Sequence, residues 1–275
     1  MIQEDLTSSQ NEPEGVLDVK PTNLQELLSR GIMRNTEGAD FRDTSIIVLR
    51  HADEREDSEG RTIGISDEGN AQISSAVGGV AAALRKVGTD IIIKFYSSPN
   101  KWAEVTAGHM IEEIEGGIEN GSWPRNVRLL SIPGSRQKPR KRQKVTRDIL
   151  VDRSDVKSIL AERESRRKAG EGVEFSTVLI EKDRRGELQP GTEGRELVVR
   201  RLTEVVGRLQ KINERILDKG EKLLLILITH NIYFEAFLGE KAEGCQGVRI
   251  DLPLKAEEKL VLVGANNSRE LDWQV

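Results

Sequence analysis

Residues 45–51 read SIIVLRH, and an uninterrupted apolar run, mostly β-branched, fills the centre of this stretch. Such runs are typical of strands buried on both faces, as in a parallel sheet. Two further runs have the same character, and segments with helical periodicity lie between them. The additional strands are predicted at 90–96 and 222–229, and the helices at 67–87, from Pro99 to about Glu115, and at 193–219. This alternation of strands and helices predicts an α/β fold with a largely parallel sheet.

Shorter elements and a leading segment complete the predicted organisation. The shorter elements are strands at 126–131, 247–252 and 259–263 and a helix at 231–238. Residues 1–44 are predicted to be an N-terminal extension, whose first 21 residues are polar and expected to be disordered. Within it, 22–30 is predicted to be a short helix capped by Thr22 or Asn23. Residues 45–275 then form a single α/β domain.

The segment from about 132 to 192 interrupts this pattern. It opens with a basic run between Arg136 and Arg147, continues as a charged helical stretch at 155–168, and ends at 170–191 with mixed strand and loop signals. Because it holds few apolar residues, we interpret it as a cap-like insertion over one end of the sheet. The basic run could steer anionic substrates or hold RNA phosphates, but a solvated loop is the favoured interpretation because only Trp123 offers a nearby aromatic ring.

The composition excludes several classes of protein. The 275 residues carry 42 Lys and Arg against 46 Asp and Glu, a formal charge of −4, which excludes a generally basic nucleic-acid coat. Aromatic residues make up 4%, which argues against stacking platforms for single-stranded nucleic acid. The single cysteine, Cys245, fits a reducing compartment. Neither a membrane-spanning run nor an export signal is recognised, so a cytoplasmic location without a membrane partner is predicted.

The candidate site follows from a rule for open α/β sheets, in which ligands bind outside the carboxyl ends of the strands. Two of the three histidines stand at such ends, His51 after the first strand and His230 after the last long one. Ser97 and Ser98 follow the second strand. The third histidine, His109, lies within a predicted helix and is interpreted as a surface or packing residue.

These residue types suit phosphoryl transfer. A neutral imidazole can attack phosphorus and carry the phosphoryl group as a covalent intermediate. A neighbouring guanidinium, here that of Arg50, can donate two hydrogen bonds to phosphate oxygens. A second, protonated imidazole can neutralise the charge that develops in the transition state. The spacing of the acidic residues after His51 matches no metal-binding pattern, so a metal site is not expected.

Four segments, in the same order, resemble the histidine phosphatase superfamily, which includes the cofactor-dependent phosphoglycerate mutases. The segments are VLRHA at 48–52, ISDEGNAQ at 65–72, YSSP at 96–99 with Thr106-Ala107, and the final strand and histidine at 225–230 with PGTE at 190–193 upstream. The resemblance covers about 45–131 and 190–264. It implies a three-layer α/β/α sandwich of the phosphoglycerate mutase type, with neither a metal nor an organic cofactor.

Transferred position by position, the resemblance makes His51 the nucleophile that becomes phosphohistidine and His230 its catalytic partner. Arg50 is expected to bind the phosphoryl group, and we assign Arg55 and Ser97 to substrate binding as well. Trp102 stands where the family has a second phosphate-binding arginine. Arg55 or Arg61 could substitute for that arginine from the loop after His51.

The proton donor of the family, a Glu or Asp, has no counterpart that spacing can identify. The stretch 132–147 contains no acid, and the candidates are Asp148, Asp152 and Glu104. The predicted function is a phosphomonoesterase for a phosphorylated small molecule or phosphoprotein, with a mutase as the less favoured activity. The alternative, motivated by Trp102 and the missing acid, is a module of the same fold that binds phosphate or a phospho-ligand with impaired catalysis.

Overall fold

A computed structural model describes residues 22–23, 44–58, 62–85, 87–130, 151–213, 221–238, 242–251, 260–263 and 268–271. The strands in these ranges are β1 (Thr22–Asn23), β2 (Thr44–Arg50), β3 (Glu54–Glu56), β4 (Thr62–Ile65), β5 (Ile91–Ser97), β6 (Val127–Leu129), β7 (Lys222–Thr229), β8 (Gln246–Asp251), β9 (Leu260–Val263) and β10 (Ser268–Leu271). The helices are α1 (Asp67–Leu84), α2 (Lys101–Glu119), α3 (Arg153–Lys168), α4 (Phe175–Arg184), α5 (Arg195–Asn213) and α6 (Asn231–Leu238).

The main sheet has the strand order β10-β9-β8-β2-β7-β5-β6. Strands β2, β7, β5 and β6 are mutually parallel and form its centre and one edge, whereas β8, β9 and β10 extend it in antiparallel fashion. The alignment of β2, β7 and β5 confirms that the three apolar runs are neighbouring parallel strands. Their carboxyl ends therefore meet at one edge of the sheet.

Helices cover both faces of the sheet and form two separate cores. One core contains buried side chains of α3, α4, α5 and α6, and the other contains those of α1 and α2. Alternate residues of each strand belong to different cores, as the pleat of a strand requires. In β2, for example, Ile46 and Val48 face the first core while Ile47 and Leu49 face the second. The protein is thus an α/β structure with a mostly parallel central sheet between two helical layers.

The helices of the second layer begin where local hydrogen bonds dictate. Ser66 is the N-cap of α1, because its side chain accepts a hydrogen bond from the backbone N–H of Gly69. Helix α2 begins at Lys101, two residues later than the predicted start at Pro99. The side chain of Asn100 caps it by accepting a hydrogen bond from the backbone N–H of Trp102.

Three local predictions are corrected by the structure. Thr22 and Asn23, expected as caps of a helix, form strand β1, which pairs with β8 at Gly247 and Gln246, on backbone that β9 leaves unpaired. The segment 170–191, with mixed signals in sequence, contains the regular helix α4. The polar loop after β2 contains the β3–β4 hairpin. Strand β10 was not predicted.

Some predictions fall outside the described residues, namely the disorder of 1–21, the rest of the 22–30 helix, the end of the long helix beyond 213, and the basic run at 136–147. The inserted segment is described from Val151 onward. There α3 and α4 are joined by ion pairs, including Arg166 with Glu181 at 2.5 Å and Lys182 with Glu162 at 3.3 Å. Among the helices in the described ranges, none combines the length and apolarity needed to cross a bilayer.

Candidate functional site

The ends of the three central strands bring the two predicted histidines together. Arg50 lies opposite Thr229 in the β2–β7 register, and the backbone N–H of His51 donates to the carbonyl of Thr229 at 2.9 Å. The rings of His51 and His230 meet edge to face, with centroids 5.0 Å apart and planes inclined by 62°. Residues 179 positions apart in sequence thus share one site because parallel strands end at the same edge.

A cavity of about 340 Å³ opens over these strand ends. Its volume lies within the range usual for small-molecule sites. The lining residues come from the strand ends and from the inserted segment: His51, Ser98, Asn100, Val151, Glu174, Phe175, Ser176, Leu179, His230, Asn231, Ile232 and Tyr233. The insertion therefore forms one wall of the site, in keeping with its interpretation as a cap.

The hydrogen bonding of His51 determines which of its nitrogens is reactive. Its Nδ1 lies 2.9 Å from the carbonyl oxygen of Ala52, and because a carbonyl only accepts, Nδ1 must carry the hydrogen. In the neutral ring the lone pair then resides on Nε2. The backbone N–H of Ala52 in turn donates to the Oγ1 of Thr106 at 3.1 Å, which holds this turn in place.

Burial keeps His51 in its neutral form. Desolvation lowers the pKa of His51 below the ordinary histidine value, and the positive charge of Arg50 lowers it further. The hydrogen bond to Ala52 and the carboxylates of Glu54 and Glu174 act in the opposite direction without reversing the shift. A neutral imidazole with its lone pair on Nε2 is the form that can act as a nucleophile.

His230 is the second imidazole of the site. Its Nε2 shares a hydrogen bond of 2.7 Å with the Oγ of Ser98. Burial lowers the pKa of His230 to about 3, and the positive charge of Arg50, together with that of His51 whenever His51 is protonated, contributes to that shift. A bound anion would offset both the burial and the charge of Arg50 and so favour protonation of His230.

Arg50 lies at the margin of the cavity. Its Nη1 donates to the Oδ1 of Asp53 at 2.8 Å, and its Nη2 lies 3.7 Å from the Oε1 of Glu174. Within the described part of the chain, neither its buried Nε nor the buried Oγ1 of Thr229 has a hydrogen-bond partner.

A second layer of contacts orients Arg50. Gln72 of α1 donates to the Oδ2 of Asp53 at 2.6 Å, and its Oε1 accepts from the backbone N–H of Asp53 at 3.0 Å. Helix α1 approaches this loop so closely that a Cβ on Gly69 would lie 2.2 Å from the carbonyl oxygen of Asp53. The glycine of the ISDEG segment is therefore required by packing against the loop that follows His51.

Glu174 is an acidic cavity residue that the sequence analysis did not identify. It stands immediately before α4, where its Oε2 accepts from the Nδ2 of Asn231 at 2.7 Å. Asn231 is itself fixed, since its Oδ1 accepts from the backbone N–H of Ala242 at 3.0 Å. The available signal was the absence of acids at 132–147, which moves the search for a carboxylate further along the insertion.

Other predicted site residues lie elsewhere. Ser97 is fully buried on the strand face that packs against α1 and α2, and the hydroxyl that reaches the cavity belongs to Ser98. Arg55 is exposed on β3, with its guanidinium 3.8 Å from where a Cβ of Gly64 would lie. Neither Ser97 nor Arg55 lines the cavity, because strand alternation turns Ser97 away and the hairpin carries Arg55 outward.

The described residues considered for the roles of the second arginine and of the proton donor also do not line the cavity. Trp102 is half-buried, with the Nζ of Lys101 4.6 Å from its ring centroid, and it does not line the cavity. Asp152 caps α3 through Ser154, and that hydrogen bonding lowers its pKa. Glu104 belongs to the first turn of α2 and is not a lining residue. Arg61 and Asp148 are outside the described residues.

Comparison with known proteins adds no relationship. No family model matches this chain, and no curated protein matches its sequence. In the described ranges, His, Cys, Asp and Glu side chains form no group of three that could hold a metal ion. Inference about function therefore rests on the geometry of the cavity and its residues.

Proposed function

We propose that this protein is a phosphomonoesterase that acts through a phosphohistidine at His51, as a divergent member of the histidine phosphatase superfamily with a phosphoglycerate mutase-like fold. The observation that carries the proposal is the hydrogen bond from Nδ1 of His51 to the carbonyl of Ala52. It leaves the lone pair of a neutral imidazole on Nε2. The edge-to-face His230 ring and the adjacent Arg50 supply the rest of the arrangement that phosphoryl transfer requires.

The donors around the cavity suit a phosphoryl group. Arg50, beside Glu174 at the margin of the cavity, offers its Nη2. Ser98 adds a hydroxyl, and His230 gains a proton when the dianion binds. These groups would stabilise the negative charge of the equatorial oxygens, which is the main contribution of a protein to phosphoryl transfer.

In the first step, the Nε2 lone pair of His51 attacks phosphorus and the bond from phosphorus to the leaving oxygen breaks. Glu174, in its protonated form, donates its proton to that oxygen, so the alcohol departs neutral. In the second step water attacks the phosphorus of the phosphohistidine, while the Glu174 carboxylate takes a proton from that water. The P–N bond then breaks, inorganic phosphate leaves, and His51 recovers its lone pair.

Hydrolysis of 4-nitrophenyl phosphate, measured between acidic and neutral pH, tests the proposal. His51→Ala should abolish phosphate release without changing the far-ultraviolet circular dichroism. The matched control is His109→Ala, which removes an exposed histidine on α2 and should retain full activity. Turnover that persists in His51→Ala would overturn the phosphohistidine mechanism.

The second candidate function is a module that binds phosphate or a phospho-ligand with impaired catalysis. It is favoured by Trp102 in the position of the family's second arginine. It is also favoured by the absence of Lys and Arg from the cavity lining as far as the described residues define it. Phosphate binding by calorimetry without any His51-dependent hydrolysis would support this function over the enzyme.

A further inference from the structure

Part of the wall of the cavity is apolar. Val151, Phe175 and Leu179 come from the inserted segment, and Ile232 and Tyr233 come from the start of α6. Leu179, Ile232 and Tyr233 belong to the buried core on this face of the sheet, and Val151 and Phe175 pack against that core while remaining partly exposed. A substrate held by its phosphoryl group at His51 would therefore direct its remaining atoms toward an apolar surface.

The charge around this wall disfavours a second anion. Glu174 contributes a carboxylate to the lining, and of the described residues that line the cavity none is Lys or Arg. Arg50, at the margin, is paired with Asp53 and lies close to Glu174. A carboxylate or second phosphate on the leaving group would lose its hydration against this apolar surface, and none of the described lining residues offers a cation to pair with it.

We propose that the substrate is a phosphomonoester whose leaving group is an apolar, ring-sized alcohol without a second negative charge. This inference rests on the proposed phosphomonoesterase activity. It assigns the specificity of the site to the apolar wall formed by the insertion, and it disfavours phosphorylated carboxylic acids and bisphosphates as substrates. The cavity of about 340 Å³ is at the small end of ligand sites, which suits one ring beside the phosphoryl group.

Three substrates with related alcohol leaving groups test the inference: benzyl phosphate, its 4-carboxylated derivative, and ethyl phosphate. Contact between a ring and an apolar wall is expected to raise kcat/KM of benzyl over ethyl phosphate by about tenfold or more. The added carboxylate should reverse that gain. Equal kcat/KM values for benzyl and ethyl phosphate, or faster turnover of the carboxylated ester, would overturn the inference.

Substitutions in the apolar wall test whether this wall causes the preference for benzyl over ethyl phosphate. Phe175→Ala and, separately, Val151→Ala should lower kcat/KM for benzyl phosphate more than for ethyl phosphate, so that the ratio of the two values falls. The matched control is Leu160→Ala, an exposed leucine on α3 away from the cavity lining, which should leave the preference intact. An unchanged benzyl preference in both folded wall variants would contradict the assignment to this wall.

The outcomes separate the two proposals. Turnover that depends on His51 but shows no preference for benzyl phosphate would reject the substrate class and leave the phosphomonoesterase in place. Failure of all three esters to turn over would reject both, since the substrate class includes benzyl phosphate.

Discussion

The two walls of the cavity are built in different ways. On one side His51, Ser98 and His230 stand at the ends of parallel strands, and backbone hydrogen bonds between neighbouring strands determine their spacing. On the other side Glu174 and Phe175 belong to an insertion that is held by side-chain packing, ion pairs and side-chain hydrogen bonds, such as those of Glu174 with Asn231 and of Ser176 with Glu235. The sheet side is suited to the nucleophile and its partners, which must be rigidly placed, and the insertion side supplies the proton donor together with groups that select the substrate.

The largest effect that distinguishes the walls is expected from Glu174→Gln. The amide has nearly the same size as the carboxyl group and can still accept the hydrogen bond from Asn231. It cannot donate a proton to the leaving oxygen. We expect kcat for benzyl phosphate to fall by about 100-fold or more. The loss for 4-nitrophenyl phosphate should be much smaller, because nitrophenolate leaves without protonation. Steady-state kinetics with both esters measures this, and equal losses would show that Glu174 does not act as the proton donor.

A second prediction tests how the sheet side is anchored. Asp53→Asn weakens the ion pair that orients the guanidinium of Arg50. Because a misplaced Arg50 binds phosphate less well, the inhibition constant of inorganic phosphate should rise by about tenfold to 100-fold. The melting temperature should change little, which separates positioning of Arg50 from a structural role. Asp67→Asn, an exposed acid at the start of α1, is the control. Unchanged phosphate inhibition in the folded Asp53 variant would contradict the orienting role.

The depressed pKa of His230 predicts a pH dependence of stability. Between pH 6.5 and about 3 the unfolded chain binds a proton at His230 that the folded chain does not, so the free energy of unfolding falls as the pH falls. From pH 7 to pH 5 the share of His230 is about 2 kcal/mol. Urea denaturation at both pH values should show that the fall in the free energy of unfolding from pH 7 to pH 5 is smaller in His230→Gln by that amount. An identical slope in the variant would mean that His230 titrates normally in the folded protein.

The smallest effect is expected from Ser98→Ala, which removes the hydrogen bond to Nε2 of His230. Loss of one neutral hydrogen bond corresponds to about 0.5–1.5 kcal/mol, or about two- to tenfold in kcat/KM. Ser74→Ala, an exposed serine on α1, provides the matched control in the same assay. A loss of 100-fold or more would give Ser98 a chemical role that the present mechanism does not assign to it.

Much of the sheet side could be predicted because the relevant signals are local. Apolar runs mark the strands at 45–49 and 222–229, and parallel strand ends converge by geometry, so His51 and His230 could be paired from sequence. The choice between Ser97 and Ser98 could not be made in this way, because it depends on which face of β5 each side chain occupies. Strand alternation, visible from the buried Tyr96 and Ile93, decides it only once the two cores are assigned.

The insertion side resisted prediction for a different reason. Glu174 reaches the cavity through the tertiary placement of α4, and that placement depends on contacts such as Glu174 with Asn231, 57 residues apart. The segment 170–191 also lacks a long periodic pattern, so α4 was not recognised. Its burial against α6 and α3, with Val178 and Ile180 in the core, stabilises a helix that its own sequence signals weakly.

The most direct test of the central claim is to trap the intermediate. Wild-type protein would be mixed with 4-nitrophenyl phosphate, quenched within the first turnovers under alkaline conditions that preserve phosphohistidine, and analysed by peptide mass spectrometry. The account predicts phosphate on the peptide that contains His51 and none on that peptide in His51→Ala. Phosphate on Ser98, or hydrolysis of the ester with no phosphorylated peptide and a fully active His51→Ala, would contradict it.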